Sequence, residues 1–259
     1  MIMKNKFISF GLMAGISLAM FTACFKDDDD QTYDGIFSCS ATIYSMDEQD
    51  GFMALLDGGG IAYLTSNSVY ATLGEDGFGD SERAYISCKF DQSNCSEVSE
   101  TGEVIVKQAE LYACTKIPVA PILMAGNSVE EDSLISVASQ PDSLYSIESI
   151  HQLYVYNGYL SIDFETLCSS AGLPTLTVVC DDVKEDGIHL RMLLNRHGSQ
   201  VYQTGRLLYS YKTSPLLAQV GSTDSVMIHV ACTFRDQADS TAFKVSRWDL
   251  ISMEVNSVE

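Results

Sequence analysis

The chain has 259 residues, with 15 basic against 35 acidic side chains and a formal net charge of −20. That charge repels polyanions and no basic stripe offsets it, which argues against nucleic acid and anionic lipid headgroups as partners. Divalent cations and cationic partners stay compatible with it. The 46% share of apolar and aromatic residues is that of a folded protein, so the acidity reads as solubility rather than disorder.

The first thirty residues form an address. Lys4 and Lys6 precede an apolar run from Phe7 to Phe21, then Phe21-Thr22-Ala23-Cys24 and the run Lys26-Asp27-Asp28-Asp29-Asp30. An apolar stretch of about 15 residues behind basic ones suits a secretory signal, since a spanning helix needs about 20. Small residues leading to a cysteine resemble a bacterial lipobox, with Phe21 where leucine is usual. This predicts a signal peptide over residues 1–23, removed, and a lipid-modified Cys24. One acyl chain anchors marginally and two or three anchor durably, so the expectation is a protein attached to a membrane and not spanning it. Four adjacent carboxylates repel one another and stay solvated, so residues 24–34 read as an acidic tether. The order cysteine, Lys26, Asp27, Asp28, Asp29, Asp30 resembles the surface-export signal of Bacteroidota lipoproteins. It implies an outer-membrane, cell-surface location. Removing the signal leaves 236 residues carrying a charge of −22, because Lys4 and Lys6 leave with it. No later segment has 18 consecutive apolar residues.

Nearly every ordered stretch then alternates with period two, predicting an all-β protein. Strands are expected at 36–45, 52–56, 61–65, 84–90 and 104–115, with Asp57-Gly58-Gly59-Gly60 as a hairpin turn and 73–82 as a loop. Five such strands suit an oligonucleotide/oligosaccharide-binding (OB)-like five-stranded barrel over residues 35–120. Pro118, Pro121 and the turn-rich, acidic stretch Gly126 to Ser133 interrupt the pattern, placing a linker at 121–133. Seven strands follow, at 150–156, 159–167, 175–181, 188–195, 201–211, 225–234 and 242–248. They predict an antiparallel β-sandwich over 134–259. Asn157-Gly158 and Arg196-His197-Gly198-Ser199 are the expected hairpin tips.

With Cys24 assigned to lipid, seven cysteines remain: Cys39, Cys88, Cys95, Cys114, Cys168, Cys180 and Cys232. An odd number leaves at least one thiol unpaired within the chain. Most share a strand face with apolar neighbours and read as small core residues, which fits a reducing or anaerobic niche. No CxxC pair or finger spacing occurs, so no structural metal site is expected.

Leu55-Leu56-Asp57-Gly58-Gly59, Arg83-Ala84-Tyr85-Ile86-Ser87 with its successor over 103–116, Tyr154 through Phe164, and Thr204 through Tyr211 behind the Arg196-His197-Gly198 tip together resemble the NigD-like lipoproteins of Bacteroidota. The resemblance covers most of residues 20–250. It implies an OB-like domain followed by a β-sandwich, and it brings no catalytic residues. The family's name comes from association with bacteriocin production.

No hydrolase elbow, phosphate loop or dinucleotide fingerprint occurs, and the four histidines lack ligand spacing. His189 and His229 alternate away from the apolar sides of their strands, and Asp163 and Glu165 read as a strand's solvated face rather than paired catalytic carboxylates. The expectation is therefore a non-enzymatic binding or envelope-accessory module without catalytic residues, cofactor or metal. Its alternatives are a glycan-binding accessory of a polysaccharide-utilisation system and a protective or secretion-associated partner of a bacteriocin. Tyr154, Tyr156 and Tyr159 are candidates for an aromatic sugar platform, although strand preference and cross-strand packing near the Asn157-Gly158 turn explain them better without a ligand. Asp132-Ser133-Leu134, Asp142-Ser143-Leu144, Asp224-Ser225-Val226 and Asp239-Ser240-Thr241 resemble O-glycosylation acceptors of Bacteroidota envelopes, four where average composition gives roughly one or two. Ser133, Ser143, Ser225 and Ser240 are the acceptor candidates.

Overall fold

A computed structural model describes residues 34–46, 51–91, 93, 95–96, 104–140, 144–145, 147–169, 173–195, 202–221, 223–234 and 237–252. Cys24, the run Lys26 to Asp30, Ser143 and the tip 196–199 lie outside them. The chain divides into two compact units, with the boundary between Lys116 and Ile117.

In the first unit, β1 (Asp34–Met46), β2 (Gly51–Leu56), β3 (Ile61–Leu64), β4 (Ser81–Asp91) and β6 (Ile105–Lys116) form a sheet in the order β3-β2-β1-β4-β6. A short β5 (Cys95–Ser96) flanks β6, and β3 pairs with β6 to close a five-stranded barrel. All pairings are antiparallel except the closing one, in which Ile61 lies opposite Ile105 and Ala62 opposite Val106. Alternation does the sorting. Ala41, Ile43, Ala54, Ala62, Ala84, Ile86 and Cys88 point into one hydrophobic core, and small residues at several of these positions suit a barrel of five strands. The β2–β3 turn requires glycine. Gly60 has φ +114, and a Cβ there would meet the Val104 carbonyl oxygen at 2.7 Å. Helix α1 (Ser66–Leu73) occupies the connection from β3 to β4 and buries Val69 in the core. The sequence pattern shows only the loop after this helix, because eight residues with one buried position leave little 3.6-residue period.

The second unit holds two sheets over one core. One runs β10 (Ser149–Tyr156), β11 (Tyr159–Ser169), β14 (Tyr202–Lys212), β7 (Val119–Pro121). The other runs β16 (Gln237–Ser246), β15 (Ser225–Phe234), β13 (Gly187–Asn195), β12 (Thr175–Lys184), β8 (Leu123–Met124), with β9 (Leu144–Tyr145) paired to β13. Leu160, Ile162 and Phe164 of the first sheet share a hydrophobic cluster with Val178, Cys180, Ile188 and Leu190 of the second. Two tyrosines of β14 donate hydrogen bonds from one sheet towards the other: Tyr211 Oη to the Leu176 carbonyl at 2.5 Å and Tyr209 Oη to the Pro174 carbonyl at 2.6 Å. The unit is all-β but not wholly antiparallel as expected, because β7–β14, β8–β12 and β13–β15 are parallel pairs. The last arises because β14 joins the opposite sheet, leaving β13 beside β15.

The stretch 121–133 is not a linker. Pro121 ends β7, Ile122 and Leu123 are buried, and Ser128 caps helix α2 (Val129–Ala138) by accepting a hydrogen bond from the Glu131 amide. Glu130, Glu131 and Asp132 fill its first turn, where the positive end of the helix dipole favours acids. Pro121 is tolerated because β7 lies at the end of its sheet. A fragment beginning at Ile117 should therefore melt cooperatively, whereas one beginning at Asp132 loses β7, β8 and the buried Ile122 and should be less stable by at least about 3 kcal/mol. Urea melts of the two fragments test this, and equal midpoints would return residues 117–131 to the role of a linker.

Candidate functional site

Three side-chain clusters stand out in the described residues, two in the sandwich unit and one in the barrel. The first sits on the outer face of the six-stranded sheet. The parallel register sets His189 of β13 directly opposite His229 of β15. Their rings stack with centroids 4.6 Å apart and planes 7° from parallel. Asp186, in the β12–β13 turn, closes over both: its Oδ1 lies 2.9 Å from His189 Nε2, and its backbone carbonyl oxygen lies 3.0 Å from His229 Nε2. The hydrogen bond from His189 is the main reason the Asp186 carboxyl sits below its ordinary range. Gly187 makes the approach feasible. It has φ +136, and a Cβ there would lie 2.2 Å from the Met227 carbonyl oxygen of β15, so only glycine lets the hairpin tip rest against that strand. Nearby, Arg191 forks onto Asp181 through Nε at 3.1 Å and Nη2 at 2.8 Å.

The second cluster is Ser149, His151 and Glu165. A β-bulge between Ile150 and Gln152 in the β10–β11 ladder gives His151 an extra position. Its Nε2 lies 3.3 Å from Glu165 Oε1 and 3.4 Å from Ser149 Oγ, while Ser149 Oγ donates to Glu165 Oε2 at 3.0 Å. These are the residue types of a nucleophile relay in a different arrangement. A relay uses one imidazole nitrogen for the serine and the other for the acid, whereas here the same nitrogen faces both. The cluster reads as a polar clasp across the strand pair.

In the barrel, Arg83 of β4 is fully buried and forks onto Asp57 at the β2–β3 turn, with Nη1 to Oδ1 at 2.6 Å and Nη2 to Oδ2 at 2.5 Å. It also donates to Thr42 Oγ1 at 3.2 Å. A separate open depression of about 320 Å³ is lined by Met46, Gly51, Tyr63, Leu64, Thr65, Ser66 and Lys107.

The sequence-level candidates fall as follows. Tyr154, Tyr156 and Tyr159 do share one face of β10–β11, with Tyr156 opposite Tyr159 and Tyr154 opposite Ser161. Tyr159 is only 7% exposed, so the three do not make an open platform. Asp163 is not on a solvated face: it is buried and forked by Arg206 at 2.8 and 2.5 Å. Ser133 is exposed on helix α2, Ser240 is exposed on β16, and Ser225 is half-buried at the start of β15. Cys88, Cys168 and Cys180 are buried, and Cys39, Cys114 and Cys232 half-buried. The histidine pair was invisible to motif spacing, since its members are brought together by a crossover between sheets.

No family model and no curated protein matches the chain in sequence. Solved structures do match it in shape. A DUF1344 protein of unknown function from Bacteroides vulgatus aligns with TM-score 0.58 and 18% identity, covering 86% of this chain and 98% of that one. A protein of Parabacteroides distasonis provisionally named as toxin-related aligns with TM-score 0.58 and 16% identity, over 83% of this chain and 96% of that one. A NigD-like immunity protein from Bacteroides caccae aligns with TM-score 0.53 and 12% identity, over 83% of this chain and 99% of that one. The overall fold of this chain is thus one that it shares, over most of its length, with a NigD-like immunity protein of Bacteroides caccae.

Proposed function

We propose that the chain is a lipoprotein of the outer membrane, anchored through acyl chains on Cys24, exposed at the cell surface, and acting as a non-enzymatic binding partner in the envelope. The observation that carries the reading is the address Phe21-Thr22-Ala23-Cys24 followed by Lys26 and four aspartates. Among the described residues no helix is long and apolar enough to cross a membrane, which is compatible with attachment through lipid. A protein-partner role in a toxin or bacteriocin system is favoured over glycan capture. The names of two structural neighbours, an immunity protein and a toxin-related protein, support the first, and the burial of Tyr159 weakens the second. A binding role is also consistent with the Ser149, His151 and Glu165 clasp, whose geometry lacks a proton relay.

Fractionation of cells carrying Cys24→Ala tests the anchor: the variant should appear unprocessed or soluble instead of as a mature membrane protein, and mature protein still in the outer membrane would overturn the lipid assignment. Replacing residues 26–30 by alanines should leave lipidation intact and reduce protease accessibility on whole cells. Unchanged accessibility would reduce the acidic run to a tether. Cells lacking the protein should lose protection against a bacteriocin produced by their own strain; a growth defect restricted to a polysaccharide carbon source would favour the glycan reading instead.

A further inference from the structure

The geometry points to a divalent transition-metal site formed by Asp186, His189 and His229 on the outer face of the sandwich, with zinc as the cation its ligands suit. Two imidazole nitrogens and one carboxylate are a donor set for zinc and its first-row neighbours rather than for calcium or magnesium, which prefer all-oxygen cages. Ligand atoms from the three residues all lie within 4.8 Å of one another. In a tetrahedral site with bonds of about 2.0–2.1 Å, donors sit roughly 3.3 Å apart. His189 Nε2 and Asp186 Oδ1, hydrogen-bonded at 2.9 Å, would move apart slightly around a cation, and Asp186 Oδ2 and His229 Nε2, at 3.9 Å, would close in.

Three features make the cluster more than a chance meeting of surface groups. The backbone fixes it, because the parallel β13–β15 register aligns the histidines and Gly187 seats the Asp186 turn against β15. Both Nε2 atoms already face the same aspartate. The charge also helps: Asp181 and Asp182 are balanced by Arg191 and Lys184, but Glu185 and Asp186 are exposed beside them, so a dication entering the site meets a net negative field. Binding requires two adjustments: the Nε2 protons now hydrogen-bonded to Asp186 must pass to Nδ1, and the rings must turn. Stacked rings cannot both direct an in-plane lone pair at one ion, so the imidazoles must turn about χ2, a broad torsion for histidine. Each would carry its remaining proton on Nδ1 and offer Nε2 to the metal. Three protein donors leave at least one position for water or for a group from a partner, as in open zinc sites.

The test is titration of the purified, untagged full chain with Zn²⁺ by calorimetry against a competing chelator, paired with Co²⁺ absorption as a report on coordination. One saturating equivalent is expected, with Co²⁺ bands of low coordination number. His189→Ala and His229→Ala should each weaken binding by about 100-fold and Asp186→Asn by at least about tenfold, since even outer-sphere changes cost metal sites 10- to 100-fold. All three side chains are partly exposed, so the variants should keep the wild-type circular dichroism. His151→Ala should bind as wild type. Absence of a saturable equivalent, or binding that survives both His189→Ala and His229→Ala, would overturn the site.

Discussion

Arg83→Ala should cost the barrel unit about 3–5 kcal/mol of stability, because it leaves the Asp57 carboxylate buried without its cation. The Arg83 side chain is 0% exposed and that of Asp57 6% exposed, so water cannot substitute for the lost guanidinium. The fork also fixes architecture. Asp57 belongs to the turn between β2 and β3, Arg83 to β4, and Thr42, which receives a third hydrogen bond, to β1 opposite Arg83. One side chain therefore joins a turn and two strands on the face opposite the hydrophobic interior. Asp57→Ala should be equally damaging, stranding the guanidinium. Replacing both partners with apolar residues of similar volume should recover most of the loss, since burial of a charge pair is itself costly and a well-packed apolar pair avoids that cost. Urea unfolding of the three variants decides it. Single substitutions costing under about 1 kcal/mol would show that the pair is solvated in solution and contributes as a surface bridge does.

Stability should also fall steeply above about pH 9. Burial is the main cause raising the Cys39 thiol from its ordinary value of 9.0 to about 12 and that of Cys180 from 9.0 to about 11; it raises Cys88 further still. A group whose proton is held more tightly in the folded chain stabilises it fully below the unfolded value. That contribution is lost as pH climbs through the window between the two. At about pH 10.5 the unfolded thiols are ionised while these three remain protonated, and each withdraws about 2 kcal/mol. Cys39 and Cys88 lie in the barrel unit and Cys180 in the sandwich unit, so the barrel should lose the larger share. The burial of Tyr211 acts in the same direction. Urea midpoints measured from about pH 8 to pH 11 should drop accordingly, and Cys39→Ala and Cys180→Ala should each flatten the slope. Identical slopes in wild type and variants would remove the thiols from the explanation.

What the sequence reveals here depends on the range of the interaction. Alternation placed the ladder strands of both units because one face of each is buried, and it placed Cys39, Cys88 and Cys180 among apolar neighbours for the same reason. Helix α2 left a trace that the density of acids concealed: Ser128 and Glu131 stand at the spacing of a capping box, and the acids taken for a linker are the first turn of a helix. The parallel pairs left none. A strand's period does not say which strand lies beside it, so nothing local in His189 or His229 announces their stacking, and nothing in Arg83 announces Asp57, 26 residues away. The burial of Asp163 leaves no local trace either, since an acid on an alternating strand looks solvated until Arg206 of another strand is placed on it.

The parallel closure of the barrel sets the order in which that unit can assemble. β1 to β2, β2 to β3 and β4 to β6 are each antiparallel neighbours joined by a modest length of chain, and such contacts form early because little loop entropy opposes them. The pairs of β1 with β4, from Tyr44–Ser81 to Asp34–Asp91, and of β3 with β6, from Ile61 to Ile105, are both long-range and are expected to form after the local ones. Until then β3 is an open edge, with the unpaired amides and carbonyls that recruit strands from other chains. A chaperone or translocation step acting on this protein would thus meet its most aggregation-prone species just before ring closure.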